Sequence, residues 1–269
     1  MHNVEQFCSF IWNFYKQNGR TFAWRNVDNA YHVLVSEIML QQTQTHRVIA
    51  KFEEFLLAFP TIESLAHATL RDVLAVWQGL GYYRRARYLH EIAKIVVEQF
   101  CNNIPQDPAI LQMFPGIGAN TAASICAFAF NMPTVFIETN IRTVFIHHFF
   151  SDKTAVTDKE LLPLIQTTVD RDNPREWYYA LMDYGVWLKS QHKNPSRKSA
   201  HYTQQTKFEG SDRQIRAAIL KLITLRENIK KTDILTKIDK ETPRVEKIIK
   251  RLENEHFITK NAHDVYTIV

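Results

Sequence analysis

Two glutamates and one glycine-broken turn carry the chemistry this chain could do. Glu37 stands among Ser36, Ile38, Met39 and Leu40 in an apolar helical run. Burial disfavours the charged form of a carboxyl group, so Glu37 is expected to hold a proton it can donate near neutral pH. The plain alternative is an ordinary glutamate at a helix boundary. Glu138 lies in Ile137-Glu138-Thr139-Asn140, ahead of an expected helix over 140–148. Between the two stands Phe114-Pro115-Gly116-Ile117-Gly118. Its glycines permit a tight reversal with backbone N–H groups turned outward, and a helix opening near Asn120 and Thr121 adds the positive end of a macrodipole. The segment reads as a phosphate clamp in which Pro115, Gly116, Gly118, Asn120 and Thr121 meet a nucleic-acid backbone. A structural corner is the other reading of the turn, and helix capping the other reading of Asn120.

The elements that must position these groups read as many short helices with tight breaks, and no repeated βαβ pattern appears. Apolar residues recur at helical spacing from Val33 to Phe59, where Pro60-Thr61 ends the run and Thr61 can cap the next helix. Thr69-x-x-Asp72 resembles a capping box before Val73-Leu74, and Gly79 and Gly81 then break the chain. A helix from Arg84 to Phe100 carries Leu89, Ile92, Ala93 and Val96 on one face. Two short helices flank the glycine turn, the second from about Ala119 to Phe130. Residues 206–212 are polar and read as a linker. Beyond them, helical runs at 214–226, 231–238 and 242–256 precede two extended segments ending at Val269, the pattern of a small winged-helix (α+β) domain over 211–269. That segment holds 13 Lys or Arg against 9 Asp or Glu. Its third helix presents Arg244, Lys247, Lys250 and Arg251, either a solvated face or a contact for DNA or another subunit.

Three stretches carry a resemblance. Ser36-Glu37-Ile38-Met39-Leu40-Gln41-Gln42-Thr43-Gln44 is similar to an SEVMLQQTQ motif, and Gly79-Leu80-Gly81-Tyr82-Tyr83 with Arg85-Ala86-Arg87 is similar to GLGYYARAR. Met182-Asp183-Tyr184-Gly185 looks like the lead into an iron–sulfur ligand loop. Over roughly residues 20–190 the chain thus resembles the MutY branch of the helix-hairpin-helix (HhH-GPD) DNA glycosylase superfamily. The resemblance implies an all-α fold: a six-helix domain over 26–131 containing the hairpin, a second helical domain from 1–25 and 132–205, and the winged-helix domain appended. It implies that Glu37 protonates the leaving adenine. The family usually has aspartate where Glu138 stands, to stabilise positive charge at the sugar C1'. Glutamate adds a methylene, and a displacement of about 1 Å can cost about 10²-fold in rate. Bifunctional relatives place a lysine where Asn120 stands, so a monofunctional enzyme without strong lyase activity is expected. Gln41, Gln42 and Tyr82 look like the elements that probe the duplex and fill space near an extruded base, with Arg84, Arg85 and Arg87 supplying phosphate attraction and Tyr83 core packing.

Departures from the family bear on cofactor and substrate. Lys189, Ser196, Ser199 and Gln205 stand at C-x6-C-x2-C-x5-C spacing, so thiolate ligation of a cluster is excluded there. The expectation is no cofactor and no metal, with His192, Lys193, Arg197 and Lys198 keeping the loop basic and Tyr202 packing in place of the cluster. Relatives typically carry a Nudix-like domain that reads 8-oxoguanine. Here the residues after Gly210 read as a winged helix, so that reader is expected to be absent or replaced. The function these readings favour is removal of adenine opposite 8-oxoguanine or guanine. A glycosylase for thymine in G·T pairs or for a modified base is a second reading, and a catalytically inactive DNA-binding damage sensor a third.

Bulk properties agree with a polyanionic partner without requiring one. The 269 residues are 45% hydrophobic, ample for real cores, and carry a formal charge of +5. Cys8, Cys101 and Cys126 are widely spaced and form no zinc or redox pattern. Neither a signal segment nor a charge-free apolar run is present, and the expected setting is cytoplasmic and nucleoid-associated. The expected partner is double-stranded DNA containing a mismatch or modified base, with no membrane, bound by a monomer.

Overall fold

The computed structural model describes residues 4–25, 28–192, 194–226 and 228–269. In chain order it contains α1 (Val4–Asn18), α2 (Ala30–Leu40), α3 (Thr45–Ala58), α4 (Ile62–His67), α5 (Leu70–Val76), α6 (Arg84–Phe100), α7 (Pro108–Leu111), α8 (Ala119–Phe130), α9 (Thr139–Phe149), α10 (Asp158–Thr168) and α11 (Pro174–Gln191). A 3₁₀ turn, Pro195–Lys198, follows, then α12 (Asp212–Leu225), β1 (Ile229–Lys230), α13 (Lys231–Lys237), α14 (Thr242–Asn254), β2 (Ile258–Lys260) and β3 (Val265–Ile268). The all-α fold with a small α+β appendage is as the sequence indicates. No described helix is long and apolar enough to cross a membrane.

The apolar run from Val33 to Phe59 is not one helix. It breaks at 41–44, where Gln42 adopts the left-handed region (φ 53°) and Thr43 N donates to Leu40 O. Both expected caps form: Thr61 with Ser64, and Thr69 with Asp72, each exchange side-chain and backbone hydrogen bonds.

The chain packs as two compact units, Met1–Glu37 with Ile104–Gln204, and Ile38–Asn103 with Gln205–Val269. This partition differs from the expected 26–131 boundary, because α8 turns Ala123, Ala127 and Phe128 into the same core as Phe136, Tyr178 and Tyr179. The hairpin therefore groups with α1 and with α9 to α11.

In the first unit α1, α9 and α11 enclose an aromatic core of Phe7, Phe145, Trp177 and Tyr178. Gly185 is required where α11 meets the start of α9: a Cβ there would lie 2.5 Å from Asn140 O and 2.8 Å from Asn140 Cβ. Two residues before it, the buried Asp183 carboxylate is met by two arginines. Arg25 donates to it at 2.7 and 2.8 Å, and Arg20 through Nε and its backbone N at 2.7 Å.

In the second unit Phe52, Phe55, Leu74, Trp77, Leu89 and Ile92 form the core under α3, α5 and α6. The C-terminal part is a three-helix bundle with an antiparallel sheet of order β1-β3-β2, Ile229 facing Tyr266 and Ile258 facing Ile268. The two-residue β1 was not legible in the sequence. Arg71 donates to Thr224 O at 2.8 Å, and Glu255, just past α14, receives Arg84 at 2.9 Å and Arg216 at 2.7 Å while its carbonyl accepts from Arg87. Phe257 lies under the guanidinium groups of Arg87 and Arg216.

Candidate active site

Glu37 ends the portion of α2 that belongs to the first unit, after Val33, Leu34 and Val35 have gone into the core. Part of the side chain still meets solvent, yet the carboxyl is surrounded densely enough that desolvation dominates and pushes it up to about 7. Ser124 on α8 opposes this by donating its hydroxyl to Oε2 at 2.5 Å, while the negative charge of Glu138 pushes the same way as burial. Ser124 Oγ also contacts Thr121 O at 3.0 Å, which fixes the hydroxyl close to the helix backbone. Sequence reasoning missed Ser124. Its signal is a hydroxyl set among Ala122, Ala123, Ile125 and Ala127 on α8, four residues past Asn120.

Glu138 is the N-cap of α9. Its Oε2 accepts from Asn140 N at 2.6 Å and its Oε1 from Asn140 Nδ2 at 2.9 Å. The carboxylate thus bends back over the positive end of its own helix, which accommodates the extra methylene and favours the ionised form. Burial still raises its pKa, offset by the Asn140 and Ile141 amides and by the charge of Lys189. Two carboxyl groups in one electrostatic neighbourhood, one held near neutral protonation and one capped by amides, are equipped for opposite roles: acid and anion.

The hairpin has the geometry of a clamp. Phe114 and Ile117 are buried anchors, whereas Gly116, Gly118, Ala119 and Asn120 are exposed. Gly116 takes φ 77°, a conformation that L side chains rarely adopt, and no side chain caps α8 after Gly118. Pro115 and Thr121 are partly buried beside them. Asn120 neither caps the helix nor stands apart from the fold: its Oδ1 accepts from Ile137 N at 3.1 Å, tying the clamp to the residue before Glu138.

The expected duplex-probing residues fall in the second unit. Gln42 is exposed, Gln41 and Tyr82 partly so, and both Gln42 and Tyr82 (φ 46°) are left-handed at turn tips. The residue that shapes both turns is Arg85, which reaches inward: it is buried and donates to Ile38 O and Met39 O at 2.8 Å, to Gln41 O at 2.5 Å, and to Gly81 O at 3.3 Å. Tyr83 is buried as expected of core packing. Tyr82 Oη receives Gln205 at 2.8 Å and Arg213 at 3.0 Å. Arg84 and Arg87 are engaged by Glu255, and on α14 Arg244 pairs with Asp212 at 2.7 Å, with Arg251 3.6 Å from the same carboxylate. Lys247 shares that helix.

The loop after α11 does not fit an iron–sulfur cluster. Ser196 is buried with its hydroxyl on Asn194 Oδ1 at 2.8 Å. Ser199 is bridged to Val156, where Val156 N donates to Lys198 O at 2.8 Å and Ala200 N to Val156 O at 2.9 Å. Lys198 is turned onto Ser151 O, Arg197 is exposed, and the tilted rings of His147 and His192 lie 5.1 Å apart. Lys193 lies outside the described residues. Tyr202, expected to fill the space, is 41% exposed: backbone pairing to Val156, rather than an aromatic plug, ties this loop down.

A model of the HhH-GPD superfamily of base excision DNA repair proteins matches residues 35–167. Adenine DNA glycosylase of Buchnera aphidicola subsp. Baizongia pistaciae is 36% identical over 191 residues, 68% of this chain and 54% of that protein. The chain spans about half the length of this relative. Adenine DNA glycosylase of Mycobacterium tuberculosis is 30% identical over 239 residues, 79% of this chain and 77% of that one. A solved thermostable thymine-DNA glycosylase superposes with a TM-score of 0.64 at 22% identity, over 71% of this chain and 90% of that one, a likeness of fold alone. With a glycine hairpin opening α8, a carboxylate capping α9 and an extended match to these relatives, the chain belongs to the HhH-GPD superfamily of base excision DNA repair proteins.

Proposed function

We propose that this chain hydrolyses the N-glycosidic bond of adenine mispaired with 8-oxoguanine or guanine in duplex DNA, leaving an abasic site. The observation that carries the reading is Glu37, a partly accessible carboxyl held near pH 7 by burial, steadied by Ser124 and coupled to Glu138. The adenine DNA glycosylase relatives support the choice of base. The hairpin amides hold the phosphate backbone, and the adenine leaves the stack while Gln42 and Tyr82 occupy the opened step. Glu37 gives its proton to a ring nitrogen of the adenine, and the C1'–N bond breaks with its electron pair going to the base. The cationic sugar faces the Glu138 carboxylate. Water then bonds to C1' and its proton returns to Glu37, restoring the acid. Asn120 offers no amine for a Schiff base, so the backbone stays intact. The enzyme acts as a monomer on double-stranded DNA in the nucleoid.

Single-turnover release from duplexes carrying A·8-oxoG, A·G, T·G, U·G or modified cytosines tests the reading. Alkali-dependent scission confined to the adenine mispairs is expected. Release from T·G moves the activity to thymine, and tight binding of every duplex with no release makes the chain a sensor.

A further inference from the structure

We propose that Lys189 is a positioning residue of this site, its ammonium group favouring the charged Glu138 carboxylate at the start of α9. The inference rests on the proposed glycosylase reading and deepens it. Lys189 follows Gly185 by four residues on α11, so both lie on one face of the helix. Gly185 is the point of closest approach to Asn140, the residue whose amides hold both Glu138 oxygens. That close approach directs the next turn of α11, and with it Lys189, toward the N-terminal end of α9.

Electrostatics agree from both sides. Lys189 is half-buried, which lowers its pKa, and Glu138 is the group that raises it. Lys189 in turn lowers the pKa of Glu138. Asn140 already occupies both carboxylate oxygens, so Lys189 acts as a nearby charge rather than as their hydrogen-bond donor. The other groups bearing on the pair are Glu37 of α2, whose charge opposes ionisation of Glu138, and Arg20, which depresses Lys189 but is committed to Asp183. Tyr179 of α11 feels Glu37, and its own pKa is raised by burial. Lys189 is thus the cation that bears on Glu138, and it stands at the first of the four positions that spacing aligns with cluster cysteines.

The test is a carboxyl-carbon NMR titration of Glu138 in the full chain, wild type against Lys189→Met and Lys189→Arg, alongside the pH dependence of single-turnover base release. An opposite charge within about 4–6 Å shifts a carboxyl by about one unit or more. Lys189→Met is therefore expected to move the Glu138 midpoint upward by about one pH unit, and to lower release on the acid limb about tenfold. Lys189→Arg should restore both. An unmoved Glu138 midpoint in a folded Lys189→Met overturns the inference whether or not any duplex is cleaved, whereas a midpoint that moves in Lys189→Met with no base release by the wild type indicts the glycosylase reading alone. Equal rate losses at every pH in both variants would assign Lys189 a packing role and overturn the inference as well.

Discussion

At the residue scale the proposed mechanism needs one carboxyl neutral and its neighbour charged. Glu37 must be protonated to act, so release is expected to fall as pH rises through about 7. Ser124→Ala removes a donor that favours the charged form. The alkaline limb should move up by about one unit, the equivalent of one hydrogen bond, as pH-rate profiles at single turnover will show. Glu37→Gln should abolish release and stabilise the fold. The folded protein binds a proton that the unfolded chain gives up near 4.5, so wild-type stability is lost progressively between about 4.5 and 7. Above pH 7 the Gln variant should be more stable by about 2–3 kcal/mol, measured by urea unfolding. Equal stabilities there would mean that Glu37 ionises freely. The sequence made Glu37 legible as a buried acid because apolar residues flank it. Ser124 was not legible, because hydroxyls on apolar helices more often bond their own backbone, and Ser124 does that too.

At the element scale the geometry hangs on two glycines with opposite tolerance. Gly185→Ala pushes a methyl into Asn140 O and Cβ, forcing α11 off the start of α9 and dragging the Glu138 cap with it. A stability loss of about 1–3 kcal/mol is expected, with a larger proportional loss in base release, read by thermal melts and single-turnover assays of one preparation. Gly118→Ala meets nothing within 4 Å at an ordinary backbone conformation and should fold like the wild type. Capping boxes, the helix over 84–100 and the helix after the hairpin were readable because local signals decide them. The break at Gln42 was not. Apolar periodicity continues through it, and the turn is set by Arg85, more than forty residues away, collecting the carbonyls of Ile38, Met39 and Gln41.

At the scale of the whole molecule, stability rests on long-range charge burial that no local pattern announces. Asp183 sits in a motif readable by resemblance, yet its partners Arg20 and Arg25 come from the other end of the chain. Asp183→Asn leaves two guanidinium groups short of a counter-charge, one of them buried. The expected cost is about 3–5 kcal/mol, measured by denaturant unfolding. The same separation holds at α8, the helix that follows the hairpin: its Ala123, Ala127 and Phe128 share a core with Tyr178 and Tyr179 of α11, far along the chain.

The Glu255 carboxylate gathers Arg84 and Arg216, Arg87 pairs with Glu91, and Asp212 gathers Arg244 and Arg251. Cations already neutralised within the fold displace few of the counterions condensed on a duplex. Each phosphate contact contributes about 0.9 to the slope of log affinity against log salt. The slope for this chain should therefore be shallower than its count of lysines and arginines suggests, and Glu255→Gln should steepen it by about one contact if Arg84 is released to the backbone. Titration of a fluorescent duplex across salt concentrations reads that slope directly. An unchanged slope means that these arginines serve the fold and never meet DNA.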